Sequence, residues 1–160
     1  MSGWPTARLD PVRQLLVLGR VMPAVGVVER VLDAPYQRVW SFLADLERSV
    51  PAFDPMVRSL RILSRRGERL TVSAGTSGTP FSQRFEVALR DGWCLMRSRL
   101  YLVGMAATPL GDRTHYVHLE GLPYRGASPL RVLRPLLRRV VAADVDGIAR
   151  ELARSGGGSA

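Results

Sequence analysis

Thr114, Tyr116, His118 and Glu120 occupy every second position of the run RTHYVHLEG. A strand alternates its side chains between two faces, so the four would share one side. With that side buried, His118 and Glu120 lie about 6.7 Å apart along the strand. The carboxylate could then hold or charge the imidazole, making His118 the natural acid or base. The opposite alternation is just as regular: Val117 and Leu119 turn inward with His115, and the polar set meets solvent. A one-residue slip exchanges the two arrangements, and the run itself leaves both open. Arg97 and Arg99 alternate against Cys94, Met96, Ser98, Leu100 and Leu102. The apolar set is expected inward and the guanidiniums solvated; reversed, an arginine could bind a carboxylate or an enolate oxygen.

Other chemistry finds little support. His115 and His118 would face opposite ways on a strand, and the single cysteine, Cys94, supplies no cluster, so neither a metal nor another cofactor is expected. No glycine-rich phosphate loop opens a helix, because Gly75 to Pro80 lies between two strand patterns. Gly-x-Ser-x-Gly is absent. All 23 basic residues are arginine, and the net charge is +9, which favours an acidic partner: nucleic acid, an anionic membrane or an acidic protein. Nucleic acid is disfavoured because the arginines are scattered and no aromatics are interleaved with them. One cysteine fits a reducing compartment, and a cytoplasmic location is expected. Gln14 to Val28 is too short to span a bilayer and is interrupted by Arg20 and Pro23.

The elements that must position these residues follow from periodicity. Residues 1–24 read as an extension with a short helix near Pro11 to Val21. Val25 to Asp33 reads as the first strand. A helix from Pro35 to about Arg48 follows, then another turn before Pro55. Short alternating runs succeed one another from Met56, with Asp91-Gly92 and Gly111-Asp112 as turns, which implies an antiparallel meander. The long stretch from Ser128 to Arg154 spaces Leu130, Leu133, Leu137, Val140, Val141, Val145, Ile148 and Leu152 at helical intervals, so one face needs an apolar partner. Pro135 predicts an irregular start to it. Residues 155–160 form a glycine-rich tail.

VVERVLDAPYQRVWSFLADLERSVPAFDP resembles the opening of the START-like helix-grip superfamily, the polyketide cyclase/dehydrase and lipid transport group. The similarity rests on Ala34, Pro35, Val39, Trp40, Asp45, Phe53, Asp54 and Pro55, on the Gly111-Asp112 turn before Thr114, and on the closing RPLLRRVVAADVDGIARELA. It implies an α+β fold over residues 25–154: a seven-stranded curved antiparallel sheet around a long C-terminal helix, with two short helices after the first strand.

The resemblance also implies a cavity between sheet and helix, with Tyr116, His118 and Glu120 turned into it. Trp40, Phe53, Phe81, Phe85, Met96, Ser98, Tyr124, Leu137 and Val141 are the expected ligand-binding residues, and Tyr124 and Arg125 fall near the expected mouth. Small residues at Ser73, Gly75, Ser98, Gly104 and Ala106 would leave room on the concave face, or else would let a helix approach closely. Two functions follow from the likeness: an enzyme resembling aromatase/cyclases, in which His118 with Glu120 or Tyr116 moves a proton, or a carrier or sensor of a hydrophobic ligand. An acidic carrier protein or an anionic membrane would suit the positive surface of either.

Overall fold

In the computed structural model, which describes residues 8–124 and 128–156, the chain runs α1 (Pro11–Val21), β1 (Val25–Leu32), α2 (Tyr36–Ala44), α3 (Leu46–Phe53), β2 (Val57–Arg66), β3 (Arg69–Thr76), β4 (Ser82–Arg90), β5 (Trp93–Arg97), β6 (Leu102–Leu110), β7 (Arg113–Gly121), a 3-10 turn (Ser128–Leu133) and α4 (Arg134–Gly156). The strands form one seven-stranded antiparallel sheet in the order β1-β7-β6-β5-β4-β3-β2. This is the expected α+β helix-grip arrangement, with α4 lying on β1 and β7 and against α3. None of the described helices is long and apolar enough to cross a membrane.

Local chemistry explains the boundaries. Asp10 accepts a hydrogen bond from the Arg13 amide and Pro11 begins α1, an efficient helix start. The helix expected from Pro35 to Arg48 breaks earlier, at Asp45, whose φ of −82° and ψ of 72° leave the helical region; α3 restarts at Leu46. Before α4 the chain makes a 3-10 turn, and Pro135 sits in the first turn of the α-helix, where its missing N–H costs no hydrogen bond. The strand expected over Trp93 to Tyr101 ends at Arg97. Ser98 Oγ accepts the amides of Leu100 and Tyr101 at 3.2 and 2.9 Å, turning the chain there.

Two apolar clusters stabilise the sheet, one on each face. The larger joins Val39, Trp40, Leu43, Leu46, Val50 and Phe53 of α2 and α3 to Val141, Val145, Ile148 and Leu152 of α4, across Val72, Phe85, Met96 and Tyr116. The smaller lies behind the sheet, where Val12 and Leu15 of α1 cover Ala106, Val117 and Leu119. Close backbone approach fixes α4. A Cβ on Gly26 would stand 2.5 Å from the Arg138 nitrogen, and one on Gly147 would stand 2.7 Å from the Phe53 carbonyl oxygen. Both positions therefore exclude a side chain.

Candidate functional site

Strand β7 carries Tyr116, His118 and Glu120 on the face toward α4, and all three are buried. The Tyr116 hydroxyl lies 2.8 Å from His118 Nδ1, and His118 Nε2 lies 2.8 Å from Glu120 Oε1. Tyr101 then donates to Glu120 Oε2 at 2.9 Å. Burial, and next the Glu120 charge, hold the Tyr116 hydroxyl well above the usual phenol range, so it keeps its proton. That proton satisfies Nδ1, and the Nε2–H tautomer donates to Glu120, which leaves no member of the row without a partner. Phe53 meets the imidazole edge-on, with ring centroids 5.9 Å apart.

Both faces of β7 are covered, which is why apolarity could not settle its orientation. Val117 and Leu119 face α1, while His115 pairs with Glu29 at 2.6 Å. Gly104 and Ala106, expected on the concave face, also point to the back of the sheet: a Cβ on Gly104 would stand 2.6 Å from Leu15 Cδ1. Their small size brings α1 close rather than leaving space under α4. Ser73 falls between the inward-facing Val72 and Ala74. Only Gly75 of that set lies on the cavity wall.

A cavity of about 410 Å³ opens between the sheet, α3 and α4. Its apolar wall includes Phe53, Leu60, Phe85, Met96 and Val103, and its polar groups are Asp54, Thr76, Gln83, Tyr101 and Glu120. Glu120 reaches the cavity, whereas Tyr116 and His118 stand behind it, fully enclosed. Of the expected ligand-binding residues, Phe53, Phe85 and Met96 line the space. Trp40 and Val141 are packed in the main cluster, and Val140, one position earlier on α4, lines the cavity instead. Leu137 lies with its backbone against Gly26. Ser98 accepts the Gln83 amide at 2.6 Å and so holds a lining residue without lining the cavity itself. Tyr124 donates to the Arg99 carbonyl at 2.7 Å on the outer surface, and Phe81 is 74% exposed. Arg97 and Arg99 are exposed and Cys94 and Met96 face inward, but the alternation stops at the turn: Leu100 is exposed and Leu102 packs behind the sheet. Arg125 lies outside the described residues.

Five polar site groups escaped the sequence reading: Tyr101, Thr76, Gln83, Asp54 as a lining group, and Asp144. Asp144 follows Val141 by three positions and precedes Ile148 by four, so a carboxylate on the buried stripe of α4 was the available signal. It is 2% exposed, and its Oδ2 has no hydrogen-bond partner. Burial, then the charges of Glu120 and Asp54, push its carboxyl up to about 9. Burial and Glu120 raise Asp54 as well. Asp144 therefore keeps its proton at neutral pH.

His118, Glu120 and Asp144 each offer an atom within 4.8 Å of the others, and a metal ion there would have to take them as ligands. Both imidazole nitrogens are already engaged, by Tyr116 and by Glu120, so an ion would have to break the His118–Glu120 bond.

No protein-family model and no curated protein matches the chain by sequence. Solved structures do match. A protein from Thermus thermophilus superposes with a TM-score of 0.61 at 19% identity, covering 82% of this chain and 98% of that one. The Zhui aromatase/cyclase from a Streptomyces species gives 0.60 at 18%, covering 81% and 94%. A START superfamily protein from Mycobacterium smegmatis gives 0.52 at 15%, covering 81% and 94%. Such identities speak to architecture, on which many activities can be built. The sheet order, the α4 grip and these likenesses together give the chain the START-like helix-grip fold.

Proposed function

We propose that the protein binds a hydrophobic small molecule in the cavity between sheet and α4. The observation that carries this reading is the cavity itself: a volume of about 410 Å³, apolar along Phe53, Phe85 and Met96 and polar where Glu120 and Tyr101 meet. Such a space falls within the roughly 300–1,000 Å³ of small-molecule sites, where a few polar groups fix the ligand's orientation. Native mass spectrometry of the purified protein tests it. A co-purifying small molecule whose occupancy falls when Phe85→Trp fills the cavity is the expected result; occupancy unchanged by that substitution counts against the site.

Acid/base chemistry in the manner of the similar aromatase/cyclases is the enzymatic form of this reading. Its chemistry centres on Glu120, because that carboxylate is the member of the β7 row that borders the cavity. His118 and Tyr116 position it from behind, and Tyr101 offers a hydroxyl beside it. Orientation of a flexible polyketone by the wall would supply most of the acceleration. Glu120→Gln is expected to abolish product formation while leaving affinity within a few-fold; unchanged turnover removes the enzymatic form and leaves the binding one.

The carrier form is favoured by the rim. Met56, 62% exposed, and Val140 both line the cavity and reach the surface. Phe81 is tied by its carbonyl to the lining residue Thr76, and the exposed Leu100 precedes Tyr101. An apolar rim on a chain of net charge +9 suits an anionic bilayer, and an acidic carrier protein is the other acidic partner that fits. Transfer of a fluorescent lipid between phosphatidylserine vesicles, slowing as salt is added, is the expected behaviour.

A further inference from the structure

The polar end of the cavity is acidic in a chain that is otherwise strongly basic. Among the described residues no arginine lines the space; its charged groups are Glu120 and Asp54, with Asp144 directly behind Glu120. The uncharged polar neighbours are Tyr101, Gln83 and Thr76, and of these Tyr101 already donates its proton to Glu120. Enclosed behind them are Tyr116, His118 and Cys94, none of which carries a fixed positive charge. Asp144 Oδ2 is buried with no hydrogen-bond partner, so this end of the site has hydrogen-bonding capacity that the protein does not fill. Ionised carboxylates only accept, whereas an ammonium only donates. A charge enclosed in an apolar site is tolerated when it is paired and hydrogen-bonded.

From this arrangement we infer that the ligand is an apolar molecule bearing a protonated amine, whose N–H groups bond to Glu120 and Asp54 in the polar part of the cavity. The inference rests on the cavity-binding reading and adds to it the charge of the ligand. The upward displacement of Asp54 and Asp144 agrees with it, since both carboxyls are short of a cation. An ammonium beside them favours their ionised forms, so binding releases protons and strengthens as pH rises toward the amine's own pKa. The local carboxylates decide the matter because they touch the ligand, while the surface arginines are solvated and screened beyond about 8–10 Å. The aromatic rings of Phe53 and Phe85 in the wall are compatible with a cation as well as with an apolar body.

Three naphthalene probes of matched shape test the inference on the full chain: naphthylethylamine, naphthylethanol and naphthylacetate, titrated by calorimetry at low salt. The ammonium is expected to bind at least about tenfold more tightly than the alcohol, and the carboxylate more weakly than either. Glu120→Gln is expected to shrink that preference to within about threefold, and Asp54→Asn, on a separate element, supplies the same comparison if the first variant folds poorly. Alcohol or carboxylate binding as tightly as the ammonium overturns the inference and leaves the cavity reading standing, as does an ammonium preference unchanged in both variants. Binding of none of the three, with naphthalene itself also excluded, removes the cavity reading and this inference with it. Stoichiometric zinc retained through desalting and lost in Asp144→Asn assigns the acidic end to an inorganic ion and overturns the inference too.

Discussion

Asp144→Asn removes a titrating group while keeping the shape of the side chain, and so converts the crowding of carboxyls into a measurable stability. In the unfolded chain an aspartate loses its proton near about pH 3.9. In the folded protein, burial and the charges of Glu120 and Asp54 hold that proton until about pH 9. Between these limits the folded state binds one more proton than the unfolded state. The contribution is therefore fully present below the unfolded pKa and is lost as pH rises through the folded one, at about 1.4 kcal/mol per pH unit. The amide does not titrate, so the variant gains on the parent protein as pH rises. The full effect is about 4 kcal/mol between pH 5 and pH 8, and at least half of it is expected. Urea unfolding of both proteins across that range, at constant ionic strength, gives the difference directly, and groups common to both largely cancel. A difference independent of pH, or one that falls as pH rises, refutes the picture of a neutral Asp144 held against Glu120.

Other outcomes follow from single contacts. Thr114 is fully buried and donates to the Ala34 carbonyl at 2.7 Å, tying the start of α2 to β7; Thr114→Val should cost about 1–2 kcal/mol by urea unfolding. Gly26→Ala places a methyl against the α4 backbone and is expected to lower stability by about 1–3 kcal/mol, with slower-exchanging amides of β1 losing protection. Cys94 is fully buried, and burial pushes its thiol up to about 12. It should resist a thiol reagent at pH 8 until urea unfolds the chain, at which point one thiol per chain reacts.

The element order was written in local signals. Alternation, the Asp91-Gly92 and Gly111-Asp112 turns and the apolar stripe of α4 each depend on neighbours a few residues away, and Pro135 marked the change from 3-10 turn to α-helix by its own geometry. Tertiary structure decided which face of β7 is the functional one. Its alternating sets are both buried, one by α4 and one by α1, so hydrophobicity carried no vote, and only the packing of α1 behind the sheet turned Tyr116, His118 and Glu120 inward. Packing also placed Val140 rather than Val141 or Leu137 on the cavity, because the phase of a helix against its partner is set by contacts such as Gly26 with the α4 backbone. Asp144 shows where the two kinds of information meet. Its position on a buried stripe is legible in the chain, but its approach to Glu120 comes from a helix and a strand distant in sequence, and that approach helps keep its carboxyl protonated.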